Sequence, residues 1–243
     1  MTATLLIPAL NEIVGLQRIA PRIKQELFDQ IILLDGGSDD GTVEYAEALG
    51  WDIHHQRGCP GVRMALVEAY SKIRGDVIVT FSPDGNCIPE LLPSALSALR
   101  DDVDMVIVSR YKAGARSEDD TRLTRLGNWW FTTLTNVLCG GSYTDALSMF
   151  RAYRRDLPER LGLTALQSDI WERRIGRYIS WEPQLSMRCA KARLRVIEIP
   201  GDEPRRIEDE TARRVRILPS TRIFHFRAGA ALLYVMLTEE MWR

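Results

Sequence analysis

Short unbroken apolar runs alternate over the first 110 residues with stretches whose apolar positions recur at helical spacing. "ATLLIPA", "QIILLDGG", "WDIHHQ", "GDVIVTFS" and "DMVIVSR" read as strands. Between them, "GLQRIAPRIKQEL", "GTVEYAEALG", "GVRMALVEAYSKI" and "PELLPSALSALR" read as amphipathic helices. This rhythm predicts an α/β fold with a doubly wound, mostly parallel sheet. Strands covered by helices on both faces are apolar throughout instead of alternating. Past Lys112 the rhythm breaks. "AGARSEDDTRLTRLGN" predicts a polar loop, and "WWFTTLTNVLCGG" an apolar helix closed by glycines. "SYTDALSMFRAYRRD" reads as a strand or turn carrying an inward Asp145. "TALQSDIWERRIGRYISWEPQLSMRCAKA" reads as a helix in two pieces broken at Pro183, and "RVIEIPG" as a late strand. With no repeat or low-complexity linker, the expectation is one domain over residues 1–204 and an extension over 205–243.

Parallel sheets bind ligands beyond the carboxyl ends of their strands, so the residues after each strand matter most. They are Pro8-Ala-Leu-Asn-Glu12, Asp35-Gly-Gly-Ser-Asp-Asp-Gly-Thr42, Ser82-Pro-Asp-Gly-Asn86 and Ser109-Arg-Tyr-Lys112. All four are polar. In the second, glycines permit a close backbone approach, Asp40 or Thr42 can cap the following helix, and Asp35 can accept from a base or ribose. An ordinary strand-to-helix turn accounts for the same residues. The segment lacks the Gly-Lys-Ser/Thr of a phosphate-binding loop and the GxGxxG of a dinucleotide fold. In the third, Asp84 and Asn86 are two apart and could offer oxygen ligands to magnesium or manganese. Pro-Asp-Gly is equally a good turn sequence.

Composition adds limits. The net charge of −1 argues against a nucleic-acid binder. Charge is uneven, however: from Arg188 to Arg227 eleven Lys/Arg face six Asp/Glu, a surplus of five. Cys59, Cys87, Cys139 and Cys189 form no CxxC pair, which favours a reducing, cytoplasmic setting over a zinc or disulfide framework. "MTATLLIPALNE" reads as a first strand instead of a signal peptide. No run approaches the roughly 20 apolar residues of a membrane span. "AGAALLYVML", after the basic stretch, suits at most a peripheral membrane contact, a packing contact or a homodimer contact. His54 and His55 have no metal-ligand company and read as structural.

Taken in order, these segments resemble family-two glycosyltransferases of the Rossmann-like GT-A fold, especially dolichol-phosphate and polyprenyl-phosphate sugar transferases. "LIPALNE" is similar to that family's opening strand and turn. "LLDGGSDDGT" resembles its Val-Asp-Asp-Gly-Ser-x-Asp-Gly-Thr, with Gly36 replacing the second Asp. "FSPDGNCIPE" resembles the metal-binding Asp-x-Asp and the Pro-Glu that follows, with Ser82 on the first Asp and Asp84 on the second. "VSRY", "RLGN" and "TDALSMFRAYRRD" resemble later family segments, so the likeness runs from about Thr4 to Pro204.

The resemblance implies an inverting transfer from a UDP- or GDP-linked sugar to an acceptor, a lipid phosphate first and a soluble saccharide second. It implies Mg2+ or Mn2+ on Asp84 and Asn86. Pro8, Asn11, Glu12 and Asp35 would border the nucleotide, and Arg110, Arg125, Ser148 and Arg205 the phosphates or cleft. Arg206 falls in the same basic segment as Arg205. Asp145 or Glu182 would be the base if the acceptor is a hydroxyl. A nucleotidyltransferase and a catalytically weak sugar-nucleotide binder are the rival readings.

Overall fold

The computed structural model describes residues 1–58, 61–164 and 181–207, with 230, 233 and 234. Among them are seven strands: β1 (Ala3–Ala9), β2 (Gln30–Asp35), β3 (Asp52–His55), β4 (Val77–Thr80), β5 (Met105–Ser109), β6 (Arg151–Arg154) and β7 (Val196–Pro200). They form one sheet in the order β3-β2-β1-β4-β6-β5-β7. Every pairing is parallel except those of β6, which runs antiparallel to both β4 and β5. The sheet is therefore mixed but mostly parallel, as the strand pattern in the sequence predicts. β6 is the strand whose sequence left strand and turn open. Its register, Val79↔Ala152 and Val106↔Ala152, fixes it in the centre of the sheet.

The helices are α1 (Ile13–Ile19), α2 (Thr42–Ala48), α3 (Val62–Ala69), α4 (Leu92–Ala98), α5 (Arg122–Cys139), α6 (Leu157–Arg160) and α7 (Glu182–Lys191). Successive strand residues feed opposite cores. Leu5, Ile7, Leu33, Val79 and Val106 pack with α1, α2 and α4. Leu6, Ile32, Leu34, Ile78 and Ile107 pack with α3, α6 and α7. β2, β4 and β5 are buried at every position, which is why their sequences are continuous apolar runs.

Two helix boundaries differ from the sequence expectation, each for a local reason. α5 starts at Arg122, inside the stretch expected to be loop. The Thr121 side chain accepts from the Thr124 backbone N–H and the Thr124 side chain reaches back, a reciprocal cap that starts the helix early. Pro183 lies within the first turn of α7, one residue after the helix starts, where its missing N–H costs nothing. The expected first piece of that helix, and the extension beyond Ile207 with "AGAALLYVML", lie outside the described residues apart from 230, 233 and 234. No described helix is long and apolar enough to cross a membrane.

Candidate active site

Two cavities open at the carboxyl ends of the strands and share Ser82 and Met149 as wall residues. The first, about 260 Å³, is bounded by Pro8 at the end of β1 with Leu10 and Glu12 beyond it, Leu34 near the end of β2 with Gly36 beyond it, Gln56 after β3, and Val62 and Ala65 of α3. Its wall is built by turns that interlock. Asn11, at φ 57, donates its backbone N–H to Ser38 Oγ (3.0 Å), and its Oδ1 accepts from the Asp39 backbone N–H (2.9 Å). Asp40 accepts from Ile13 N–H (3.1 Å) and Thr42 N–H (3.0 Å). Asp35 is buried behind this wall, accepting from Ser38 N–H (2.9 Å) and paired with His55 Nδ1 (3.0 Å). Burial alone would push the Asp35 carboxyl up. The Ser38, His55 and Gly37 hydrogen bonds outweigh it and hold the group below the usual carboxylate range.

The second cavity, about 230 Å³, is lined by Ser82, Asp84, Asn86, Arg110, Ser148, Glu203 and Arg206 among others. The loop carrying Asp84 is pinned from two sides. Behind it, a Cβ on Gly15 of α1 would sit 2.3 Å from the Pro83 carbonyl oxygen, so only glycine lets the helix approach. In front, Ile207 N–H donates to the Asp84 carbonyl (2.7 Å), and a Cβ on Gly85 (φ 90) would meet the Ile207 side chain at 2.6 Å. The Asp84 carboxylate caps the Asn86 N–H (3.1 Å) and lies 3.4 Å from Arg206 Nε.

Around this loop runs a network of charges. Arg110 gives Nε and Nη2 to Asp145 (2.7 and 2.9 Å) and Nη1 to Glu203 (3.2 Å). Asp145, wholly inaccessible to solvent, also accepts from the backbone N–H of Arg110, Leu147 and Ser148. Burial opposes its ionised form, but Arg110 and those amides keep its carboxyl below the ordinary range. Burial works against Arg110 as well, yet Asp145 and Glu203 raise its guanidinium well above its usual value. Glu203 also binds the Ser117 hydroxyl and accepts weakly from Asn86 Nδ2 (3.5 Å). Arg206 Nε lies 3.2 Å from Asp119. Burial lowers the affinity of Arg206 for its proton, and Asp84, Asp119 and Glu203 more than restore it.

The candidate residues separate clearly. Pro8 and Glu12 line the first cavity; Asp84, Asn86, Arg110 and Ser148 line the second. Asn11, Asp35 and Asp145 stand one layer back and hold the walls. Arg125 is exposed on α5, its Nη2 3.5 Å from the Ser117 carbonyl, and Arg205 is exposed beside Arg206; neither lines either of these two cavities. Glu182 is not brought to the cleft. It is fully buried at the start of α7, on the core face that holds Trp181 and Leu185. Glu203, Asp119, Gln56 and Met149 were not singled out from sequence. Glu203 sits in a Gly-Asp-Glu-Pro turn after β7, and that position beyond a strand end was the available signal.

Residues 4–162 match the family described as glycosyl transferase family 2. The chain belongs to glycosyl transferase family 2. Among relatives, it is 26% identical over 209 residues to undecaprenyl-phosphate mannosyltransferase of Micrococcus luteus, covering 82% of each chain. It is 34% identical over 142 residues to a dolichyl-phosphate hexose transferase of Haloferax volcanii, covering 56% of this chain and 60% of that one. Among solved structures, glucosyl-3-phosphoglycerate synthase of Mycobacterium tuberculosis, in complex with Mn2+, UDP-glucose and phosphoglyceric acid, superposes with a TM-score of 0.64. That pair shares 22% identity, over 97% of this chain and 79% of the other. This family 2 member thus shares the fold of that synthase, and in sequence it is similar to transferases named for undecaprenyl and dolichyl phosphate.

Proposed function

We propose that this family 2 glycosyltransferase moves a hexosyl group from a nucleoside-diphosphate sugar to a polyprenyl phosphate, with inversion at the anomeric carbon. The observation that carries this reading is the pair of cavities meeting at Ser82 and Met149. The first is mostly apolar with amide and carboxylate groups at its edge, the character of a nucleoside pocket. The second concentrates charge, as a diphosphate and its departing negative charge require. The relatives named for undecaprenyl and dolichyl phosphate support the acceptor.

A divalent ion suits the second cavity as a partner of the donor. Asp84 offers a carboxylate, and Asn86 Oδ1 is a buried oxygen with no hydrogen-bond partner among the described residues. No group of three or more His, Cys, Asp or Glu able to hold a metal occurs among the described residues. Two protein oxygens fit an ion of the magnesium or manganese kind that takes its other ligands from diphosphate and water. Asp84 and Asn86 would hold it, and when bound it would neutralise charge on the leaving diphosphate. The Mn2+ in the complex of the structural neighbour agrees with that chemistry.

In the transfer, an acceptor phosphate oxygen forms the new bond to the anomeric carbon as the bond to the donor β-phosphate oxygen breaks, and the electron pair leaves with the diphosphate. The phosphate acceptor is already ionised, so no base is needed. That suits a site in which the buried Asp145 is committed to Arg110 and backbone amides, and the Glu203 carboxylate at the cavity wall to Arg110 and Ser117. Arg206, half-exposed at the cavity wall, is placed to follow charge onto the diphosphate. The test is incubation with UDP- and GDP-sugars and undecaprenyl phosphate, with and without Mn2+, reading the lipid product by mass spectrometry. A sugar-phosphate-lipid product is expected. Transfer only to soluble acceptors would overturn the acceptor, and no transfer from any donor would overturn the reaction.

A further inference from the structure

Helix α5 is amphipathic the wrong way round for a water-exposed surface. At 100° per residue, Leu123, Leu126, Trp130 and Val137 share about a sixth of its circumference, with Trp129 at the edge. That stripe faces outward: Leu123 is 78%, Val137 74% and Trp129 60% exposed. The opposite face carries the polar groups and turns them inward. Asn136 exchanges hydrogen bonds with the Tyr143 backbone (both 2.8 Å), Thr132 Oγ1 accepts from Ala146 N–H (3.2 Å), and Asn128 Nδ2 donates to Tyr111 (2.6 Å). An exposed apolar stripe of this size on a soluble domain marks a contact surface.

We propose that the outward stripe of α5 is a membrane-docking surface that lies in the interface of an anionic bilayer. Three observations select this occupant. The helix has 18 residues, roughly 27 Å, with Arg122 and Arg125 in its first turn and no acidic residue in its length; of the three carboxylates just before it, Asp119 is held by Arg206 and Asp120 by Tyr111 and Asn128, which leaves Glu118 beside two arginines that suit anionic lipid. Adjacent tryptophans on or beside the stripe suit the headgroup boundary, where an apolar ring and a polar N–H are both satisfied. Its first turn is also continuous with the cleft: Thr121, the cap, follows Asp119, which contacts Arg206 and Asn86. A lipid phosphate entering the second cavity would leave its tail beside the stripe. The choice of occupant rests on the lipid-phosphate reading, but binding to a bilayer does not require turnover.

The experiment measures full-length protein on vesicles of phosphatidylglycerol and phosphatidylcholine by co-sedimentation at low and high salt. The comparison is Leu126→Gln/Trp129→Gln/Val137→Gln, all at exposed positions. Salt-sensitive binding that the triple variant weakens about tenfold or more is expected. A second variant, Val137→Trp, enlarges the stripe without opening the helix and should strengthen binding several-fold. Circular dichroism checks folding, and transfer to a short-chain, water-soluble prenyl phosphate should be unchanged in both variants. Binding unaffected by either variant, or no binding by the parent protein, overturns the proposal. So does a dimer, seen by analytical ultracentrifugation, that the triple variant dissolves. If vesicles bind through α5 but no prenyl phosphate accepts sugar, the acceptor reading fails and the docking surface stands.

Discussion

The two cavities are built on opposite principles. Most of the wall of the first comes from the ends of three neighbouring strands, β1, β2 and β3, and bonds across 27 residues, such as Asn11 to Ser38 and Ile13 to Asp40, stitch the loops after β1 and β2 together. The second gathers Asp84, Arg110, Asp145, Glu203 and Arg206 from across the chain, and the bond from Arg110 to Glu203 spans 93 residues. Those loops are brought together by the parallel pairing of β1 with β2, so most of the first pocket's wall forms with that pair. The charge network exists only once β6 is threaded between β4 and β5 and the turn after β7 folds back. Removing one partner therefore strands others in the second cavity, whereas in the first it loosens a wall.

The sharpest way to break this contrast is Asp84→Ala. If the second cavity handles the diphosphate, transfer should fall by about 10³-fold or more, in the range lost with a main transition-state charge stabiliser. Circular dichroism and melting temperature should hold, because the Asp84 carboxylate is not buried within either core. Initial rates at saturating donor decide it; near-normal turnover would reduce the Ser82–Asn86 stretch to a turn.

Asp145→Asn tests the network itself. The substitution leaves Arg110 buried at 17% side-chain exposure without its main carboxylate. Breaking such a pair costs about 3–5 kcal/mol, readable in urea unfolding. Because the Asp145 carboxyl is held below its ordinary value in the folded protein, its contribution is complete above the unfolded value of about 3.9. It is lost as pH falls through the lower folded value. The parent's advantage over the variant should thus be constant near neutrality and shrink only in acid. An equal gap at pH 7 and pH 2 would contradict the pairing.

These outcomes also mark what the sequence could and could not reveal. The strands were legible because helices on both faces force unbroken apolar runs, and the strand-end turns carried Pro8, Glu12, Asp84 and Asn86 to the cavities. Arg110 was legible as a polar residue beyond a strand and Asp145 as an inward carboxylate, but their mutual pairing was not, since the segment carrying Asp145 could be read as strand or turn. Glu182 was named as a candidate base on the resemblance alone, and burial is a property of the packed fold that its place in the sequence does not show. α5 was legible in part as an apolar helix but its outward stripe was not, because apolar spacing tells which residues share a face but not which way that face points.

A smaller effect is expected where the two halves touch. Gly15→Ala puts a methyl group against the Pro83 carbonyl. α1 or the Asp84 loop must shift, at a cost of about 1–3 kcal/mol for an overpacked contact. A shifted loop should lower turnover more than it weakens nucleoside diphosphate binding, because Pro83 precedes Asp84 and lies outside the first cavity's lining. Equal losses in both would mean that the helix supports the two pockets as one unit.

The mildest prediction concerns the first pocket alone. His55→Ala removes the imidazole from Asp35 Oδ2 while leaving the Ser38 N–H on Oδ1. A single hydrogen bond to a charged group contributes about 1.5–3 kcal/mol when sheltered. His55 is largely exposed, at 62% of its side chain, so a loss below about 1 kcal/mol is expected. The sign follows from Asp35, whose folded value is depressed partly by His55. Without the imidazole that value moves back toward the unfolded one. The stability Asp35 adds above the unfolded value becomes smaller, and it is lost at a higher pH as the solution is acidified. Thermal melts from pH 7 down to pH 3 should show the variant below the parent, with the difference closing in acid. UDP or GDP should still raise the melting temperature of the variant, since Ser38 and Gly37 keep Asp35 in place. A variant that no nucleotide stabilises would show that His55 is part of the binding surface and not a support behind it.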